Sequence, residues 1–444
     1  MSYTDKHIFF RSAGEVNPTI ERAEGIYCYD SEGRRYIDGM GGVGVVSIGH
    51  GVTEIFDAAV EQMKKVCFAH PFHWKNAAHM RLTEQIASMA PPGMSSVFMC
   101  SGGSEATETA LKMARQYHVE RGEPSRYKVI SRWSGFHGNT LGALSMTGMS
   151  SRREAFIPLL AAFPHIAPSY CYRCPFGKTY PSCGVQCAQD LEATILREGK
   201  DSIAAFIAEP FVGAAAGATT GQPEYFRMIR EICDRYGILM IMDEVITGFG
   251  RTGRNFAIEH WGVVPDIICT GKGMSSGYTP LGAVIAHERV YEAFKPPARG
   301  FNHGFTYGGN PLSCAVGSAV LSYMDKHQLI GNVAKLGPQF FALAQQLAEL
   351  PIVGDVRGKG FYMGVEFVAD KSTRQPFPAS AQVSRKIADI AFANGLITGA
   401  NRGGIDGVLG DHINLAPPYI CDAGDLAQII DILKQSILQF SRTL

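Results

Sequence analysis

Between about Ser95 and Ala286 the chain repeats one pattern: a nearly unbroken apolar run, then a longer stretch with helical spacing. The runs are VFMC before Ser101, YKVIS near Val129, AAFIAEP around Ile207, GILMIMDE around Met240, DIICTGK around Ile268 and LGAVIA around Val284. A strand with one wet face alternates apolar and polar side chains, whereas runs without alternation are covered on both faces. The pattern predicts an α/β domain whose mainly parallel sheet lies between helices. From Tyr323 onward, amphipathic stretches such as GPQFFALAQQLAEL and QVSRKIADIAFANG surround the strand candidates VRGKGFYMGVEF and HINLAPPY, which predicts a smaller α+β domain. Near the start, Asp30-Ser31-Glu32-Gly33 lies between two Tyr-rich runs and reads as a hairpin. We expect this segment to pack with the C-terminal part. The small domain then comprises residues 1–60 and 326–444, around a large domain of residues 61–325.

Composition narrows the function classes. Of 444 residues 46% are hydrophobic and 18% charged, which excludes a disordered chain. Lys+Arg 41 balance Asp+Glu 41, so no global field draws nucleic acid or anionic lipid. The start, MSYTDKHIFFRSAG, lacks the regions of a secretory signal, and no apolar run reaches the length of a membrane span. A cytoplasmic protein without nucleic-acid or membrane partners is expected. Eleven cysteines, an odd number and mostly scattered, fit reduced thiols.

Three short motifs carry chemistry, each directly after an apolar run. Ser101-Gly102-Gly103-Ser104-Glu105 opens a helical stretch in which Ala106, Ala110, Met113 and Ala114 share a face. Glycines let the backbone close on a ligand, and helix-start N–H groups favour an anion, so this reads as a phosphate cradle or as a tight turn with a Ser cap. It has neither the Gly-Lys-Ser/Thr ending of a P-loop nor the three glycines of a dinucleotide fingerprint, which disfavours a nucleotide-dependent oxidoreductase. Asp243 follows GILMIM; a carboxylate there can hold a protonated ring nitrogen or a metal, or simply cap the next element. Lys272 follows the next run and is flanked by Gly271 and Gly273, so its amine is sterically open to Schiff-base formation. Singly, each reads as an ordinary turn, cap or surface lysine. Together they form the set that pyridoxal 5′-phosphate needs: N–H donors for its phosphate, an anion for its ring nitrogen and a lysine for its aldehyde.

With these residues in place, the sequence resembles the class III, or ω-, aminotransferases of the fold-type I pyridoxal-phosphate enzymes. The resemblance runs from GIYCYDSEGRRYIDGMGGVGVVSIGHG to PPYI, and its most specific part is the run from FRMIREICDRYGILMIMDEVITGFGRTG to TGKGMSSGYTPLGAVI. It implies that the large α/β domain has a mainly parallel, mixed sheet of the seven-stranded type, that Lys272 bonds the cofactor and then moves the proton between substrate carbon and cofactor, and that Asp243 pairs with the pyridine nitrogen. Gly102, Gly103 and Ser104 stand where the family binds phosphate. Phe136-His137-Gly138 stands where an aromatic residue, often Tyr, stacks on the ring, and Val245 matches the residue on the opposite face. Glu209 matches a carboxylate that lies near the ring hydroxyl and can pair with a pocket arginine. Thr306 matches a threonine that reaches the partner subunit's phosphate, which implies a homodimer or a dimer of dimers. The implied reaction takes an amino group from an amine or an ω- or β-amino acid and gives it to a keto acid such as pyruvate or 2-oxoglutarate. A lyase or decarboxylase of the same family is the alternative, and a non-catalytic binding protein on the same fold would be expected to have lost Lys272 or Asp243.

The chain departs from the pattern in three places. Where well-known ω-aminotransferases carry a pocket Trp, it has Gly44. Where they carry a mobile substrate arginine it has Gly407 or its neighbour, and Arg402 in the insertion NRGGIDGV is the candidate carboxylate clamp. The segment CYRCPFGKTYPSCGVQC gathers Cys171, Cys174, Cys183 and Cys187, which reads either as a structural metal site or as an ordered loop with free thiols near the pocket entrance. No metal is expected in the chemistry.

Overall fold

Apolar runs become strands here because each can be covered twice. The computed structural model describes residues 7–9, 17–298 and 300–444, so most of the stretch read for a secretory signal lies outside the described residues. Among the described residues the first elements are three short strands, β1 (Ile20–Glu24), β2 (Tyr27–Asp30) and β3 (Arg35–Asp38), and the expected hairpin at residues 30–33 joins β2 to β3. The central part supplies β4 (Met94–Cys100), β5 (Lys128–Arg132), β6 (His165–Ile166), β7 (Ile203–Ala208), β8 (Leu239–Asp243), β9 (Ile267–Thr270) and β10 (Gly282–His287). These form one seven-stranded sheet in the order β4-β10-β9-β8-β7-β5-β6. Only β10 runs against its neighbours; every other pairing is parallel. Six strands coincide with the six apolar runs. The seventh, β6, is two residues on the sheet edge, too short to leave an apolar run.

The two faces of this sheet bury different residues. Phe206, Met240, Met242, Ile268 and Ile285 pack on one face with Leu191 and Ile195 of helix Gln186–Glu198 and Phe226 and Ile229 of helix Tyr225–Tyr236. Ala205, Ile207, Ile241, Cys269 and Val284 pack on the other face with Ala106, Ala110, Met113 and Ala114 of helix Gly103–Glu120. Each fully covered Ile, Leu, Met or Phe removed from water contributes roughly 1.5–3 kcal/mol.

The C-terminal part adds β11 (Val353–Lys359), β12 (Tyr362–Phe367), β13 (Leu396–Ile397), β14 (Gly399–Asn401) and β15 (Asp411–Leu415). The candidate strand VRGKGFYMGVEF is in fact a hairpin, β11 turning into β12 at Gly360, where φ is +61° and the left-handed backbone favours glycine. Both amphipathic stretches are mainly helical: the first runs from helix Leu329–Gln345 into the 3-10 segment Gln346–Glu349, and the second centres on helix Val383–Ala393. β13 pairs in parallel with β3, so the two ends of the chain share a sheet. The boundary drawn at residue 60 falls inside helix Thr53–Lys65, which runs through it unbroken. Among the described residues no helix is long and apolar enough to cross a membrane.

Candidate active site

Because β4, β8 and β9 point the same way, their carboxyl ends place Gly102, Asp243 and Lys272 on one edge of the sheet. Side chains confirm how close these ends lie. A Cβ on Gly103 would stand 2.7 Å from Val245 Cγ1, and one on Gly271 would stand 3.5 Å from the Gly103 nitrogen and 3.6 Å from the same methyl. The start of helix Gly103–Glu120 carries no side-chain cap, and nothing lies within 4 Å of where a Cβ on Gly102 would be. Residues 137–139 close the other side of this cradle: Asn139 N–H donates to Ser104 Oγ at 3.1 Å, and the Thr107 hydroxyl donates to His137 O.

Asp243 is buried at the end of β8, where its Oδ2 meets His137 Nδ1 at 2.8 Å and its Oδ1 accepts from Val245 N–H at 3.1 Å. The other ring nitrogen of His137, Nε2, is buried without a hydrogen-bond partner. Glu209 accepts from the N–H groups of Phe136 at 2.9 Å and Gly213 at 2.8 Å, and burial raises its carboxyl above the usual range. Phe136 packs on Met149, Val212, Ala215 and Ala216.

Lys272 adopts a left-handed backbone with φ of 41°, an uncommon conformation for a residue with a side chain. Burial pushes its amine down to about 8, against the opposing pull of Asp243 and Glu209 and with Arg251 adding to the push. The glycine-rich segment 41–48 is stitched directly to the turn that follows. Ser276 Oγ accepts from the N–H groups of Ser47 at 2.9 Å and Ile48 at 3.0 Å, and the Ser47 hydroxyl donates to Gly273 O at 3.0 Å. Gly44 in this segment has φ of +71°, and a Cβ there would lie 3.5 Å from Ile246 Cγ2. The left-handed backbone therefore favours glycine at the position where well-known ω-aminotransferases carry Trp.

Of the sequence-derived residues, the structure gathers Gly102, Gly103, Ser104, Phe136, His137, Glu209, Asp243, Val245 and Lys272. It leaves Thr306 exposed on a turn and Arg402 exposed on the loop before β15, where Arg402 Nη1 donates to Ala379 O at 2.8 Å. Cys171, Cys174, Cys183 and Cys187 do line one small cavity, of about 20 Å³, in which Gln222 Nε2 donates to Cys171 Sγ at 3.1 Å. Their segment is anchored by Tyr170 and Arg173 to Glu366 on β12. The thiols do not converge as metal ligands: among the described residues the only donor trio within 4.8 Å of one another is Cys28, Asp38 and His50.

Sequence reasoning missed two buried groups. Glu244, next to Asp243, turns away from the cradle and accepts from the N–H groups of Ala257 at 3.0 Å and Ile258 at 2.8 Å; burial pushes its carboxyl up to about 7. Arg251, fully buried, lies over the Tyr419 ring at 4.6 Å and donates to Phe361 O and Pro417 O, while its Nε and Nη2 have no partner. The only available signal was a charged residue within an apolar and glycine-rich run.

Comparison with known proteins agrees with this geometry. Residues 10–437 match the family model described as Aminotransferase class-III. The chain is 36% identical to the putrescine–pyruvate aminotransferase of Pseudomonas aeruginosa, over 95% of this chain and 90% of that protein. It superposes with a TM-score of 0.90 on a thermostable (S)-enantioselective ω-transaminase from Thermomicrobium roseum, at 37% identity and covering 96% of this chain and 93% of that one. An amine transaminase from an uncultivated Pseudomonas species, solved in its pyridoxal-phosphate-bound form, superposes with a TM-score of 0.91 at 35% identity, covering 99% of this chain and 98% of that one.

Proposed function

Because the chain belongs to the class III aminotransferases, a family that works with pyridoxal 5′-phosphate, we propose that it transfers an amino group from an amine or an ω- or β-amino acid to a keto acid such as pyruvate or 2-oxoglutarate, with Lys272 and Asp243 as its catalytic residues. The observation that carries this reading is the convergence of an uncapped glycine cradle, a buried carboxylate and a desolvated lysine on one sheet edge. These groups fit the cofactor, since the cradle offers N–H donors around Gly102, Gly103 and Ser104 and stays open at Gly102, where nothing lies within 4 Å of a Cβ position. When bound, the cofactor supplies an electron sink and an amino-group carrier.

The protein groups do the rest. Asp243, held by His137 and the Val245 N–H, is oriented to keep a ring nitrogen protonated. Lys272, with its amine near 8, is neutral far more often at physiological pH than a solvated lysine, so it can bond an aldehyde and later accept and return the proton at the substrate carbon. With the cofactor in place, Phe136 and Val245 would cover its two ring faces and Glu209 would stand by its ring hydroxyl, as the matching family positions imply. Thr306 serves the partner subunit's phosphate in a homodimer or dimer of dimers, which its exposure supports. Arg402 holds the acceptor's carboxylate. Eleven unpaired thiols support a cytoplasmic setting.

Absorbance spectra of the holoenzyme, recorded with a panel of amines, amino acids and taurine-like donors, test this. One donor should bleach the visible band of the lysine-bound cofactor, and a keto acid should restore it. Bleaching without consumption of a keto acid would move the reading to a lyase or decarboxylase, and absence of the band would remove Lys272 from its role. In the same assay Arg402→Ala should raise the KM for the keto acid severalfold; an unchanged KM removes Arg402 from the site.

A further inference from the structure

On the far side of the glycine segment, Cys28 on β2, Asp38 at the end of β3 and His50 converge. His50 Nε2 lies 3.2 Å from Asp38 Oδ2 and 3.8 Å from Cys28 Sγ, and all three donor atoms fall within 4.8 Å of one another. Tetrahedral zinc, with bonds of about 2.3 Å to sulfur and about 2.0 Å to nitrogen and oxygen, sets its S···N and N···O edges at about 3.6 and about 3.3 Å. The two measured edges match these closely. We propose that Cys28, Asp38 and His50 form a binding site for a divalent transition-metal ion of the zinc class.

The donor set selects that class. Calcium and magnesium take oxygen ligands, whereas a thiol and an imidazole beside one carboxylate suit a borderline-soft ion. The scaffold is also rigid where a metal site needs rigidity. Gly25 and His50 exchange backbone hydrogen bonds at 3.0 and 2.9 Å, and Asp38 N–H donates to Ile26 O at 2.8 Å, so two of the three ligands stand on paired backbone and Cys28 lies within the β1–β2–β3 sheet. Both Asp38 oxygens accept from Gly42 N–H at 3.0 Å, which orients the carboxylate in the way outer hydrogen bonds orient metal ligands. Cys28 and Asp38 are buried, while the His50 side chain is 24% exposed and gives an ion an entry path and water a fourth position. On binding, the Cys28 thiol and the His50 imidazolium each release one proton to solvent. Through Asp38 and Gly42 the ion would brace segment 41–48, which is bonded to Gly273 and Ser276 beside Lys272.

Cobalt(II) titration of chelator-treated holoenzyme tests the site, because the visible d–d bands of tetrahedral cobalt lie to the red of the cofactor. One equivalent per chain should bind with tetrahedral intensity. Cys28→Ser and His50→Gln should each weaken that binding at least about tenfold, while joint replacement of Cys171, Cys174, Cys183 and Cys187 by Ser leaves it unchanged. Retention of the cofactor band by each variant reports that it has folded. Absence of saturable tetrahedral bands overturns the proposal, as does cobalt binding that survives Cys28→Ser and His50→Gln or disappears with the other four thiols.

Discussion

Two carboxylate–histidine pairs stand on either side of segment 41–48, and they differ in what surrounds them. Asp243 and His137 meet at 2.8 Å with both side chains buried, at the carboxyl end of a strand covered on both faces. Asp38 and His50 meet at 3.2 Å with His50 open to solvent and a thiol beside it. In the proposed function the first pair holds a charge against a reacting ring, since a carboxylate buried with His137 and the Val245 N–H against it keeps a strong local field. The second lies in a higher dielectric, where the same two groups stabilise the fold. Asp38 and Cys28 raise the His50 imidazole to about 9, so its proton stays through the physiological range.

The largest effect that would break this contrast is on Asp243. Asp243→Asn keeps the shape and removes the charge, and should lower kcat/KM about 10³-fold, as loss of a preorganised electrostatic group does; a loss under tenfold would make this pair no different from the other. Next comes His137. A hydrogen bond to a charged group is worth about 1.5–3 kcal/mol, so His137→Leu should cost about 10- to 100-fold in kcat/KM, and His137→Asn, which keeps a donor near the Nδ1 position, should recover much of it and return the visible absorbance of the bound cofactor toward that of the wild type.

The smallest expected effect is at His50, and it appears in stability. The folded state raises the His50 imidazole from 6.5 to about 9. Stability from the Asp38 pair is therefore fully present below about pH 6.5 and is lost as pH rises through about 9. In chelator-treated protein His50→Gln should lower stability by about 1–2 kcal/mol at pH 6, converge with the wild type above pH 9 and change kcat/KM less than threefold. Urea denaturation across pH reads this, and a parallel offset at every pH would show that the ion pair contributes nothing.

Legibility followed sequence distance. β4, β5, β7, β8, β9 and β10 were readable because each carries its own apolar run, and Gly102, Asp243 and Lys272 because each directly follows one. β6 was not, being two residues long, nor was the split of β11 from β12, which depends on a single left-handed glycine. The Asp243–His137 bond joins residues 106 apart, and the Cys28–Asp38–His50 group has no motif spacing. The four cysteines show the converse: close in sequence and sharing one cavity, yet not converging as ligands, because Tyr170, Arg173 and Gln222 tie their loop elsewhere.

By itself the sequence determined the α/β class, six of the seven strands of the central sheet and the residue types at their ends, because apolar periodicity and local turn chemistry act over a few residues at a time. Only the tertiary structure decided which of those ends meet, that Lys272 is desolvated, that His137 joins the Val245 N–H in holding Asp243, and that Cys28, Asp38 and His50 share a point in space. Strand order and burial set distances and dielectric between residues far apart in the chain, and neither is written in local spacing.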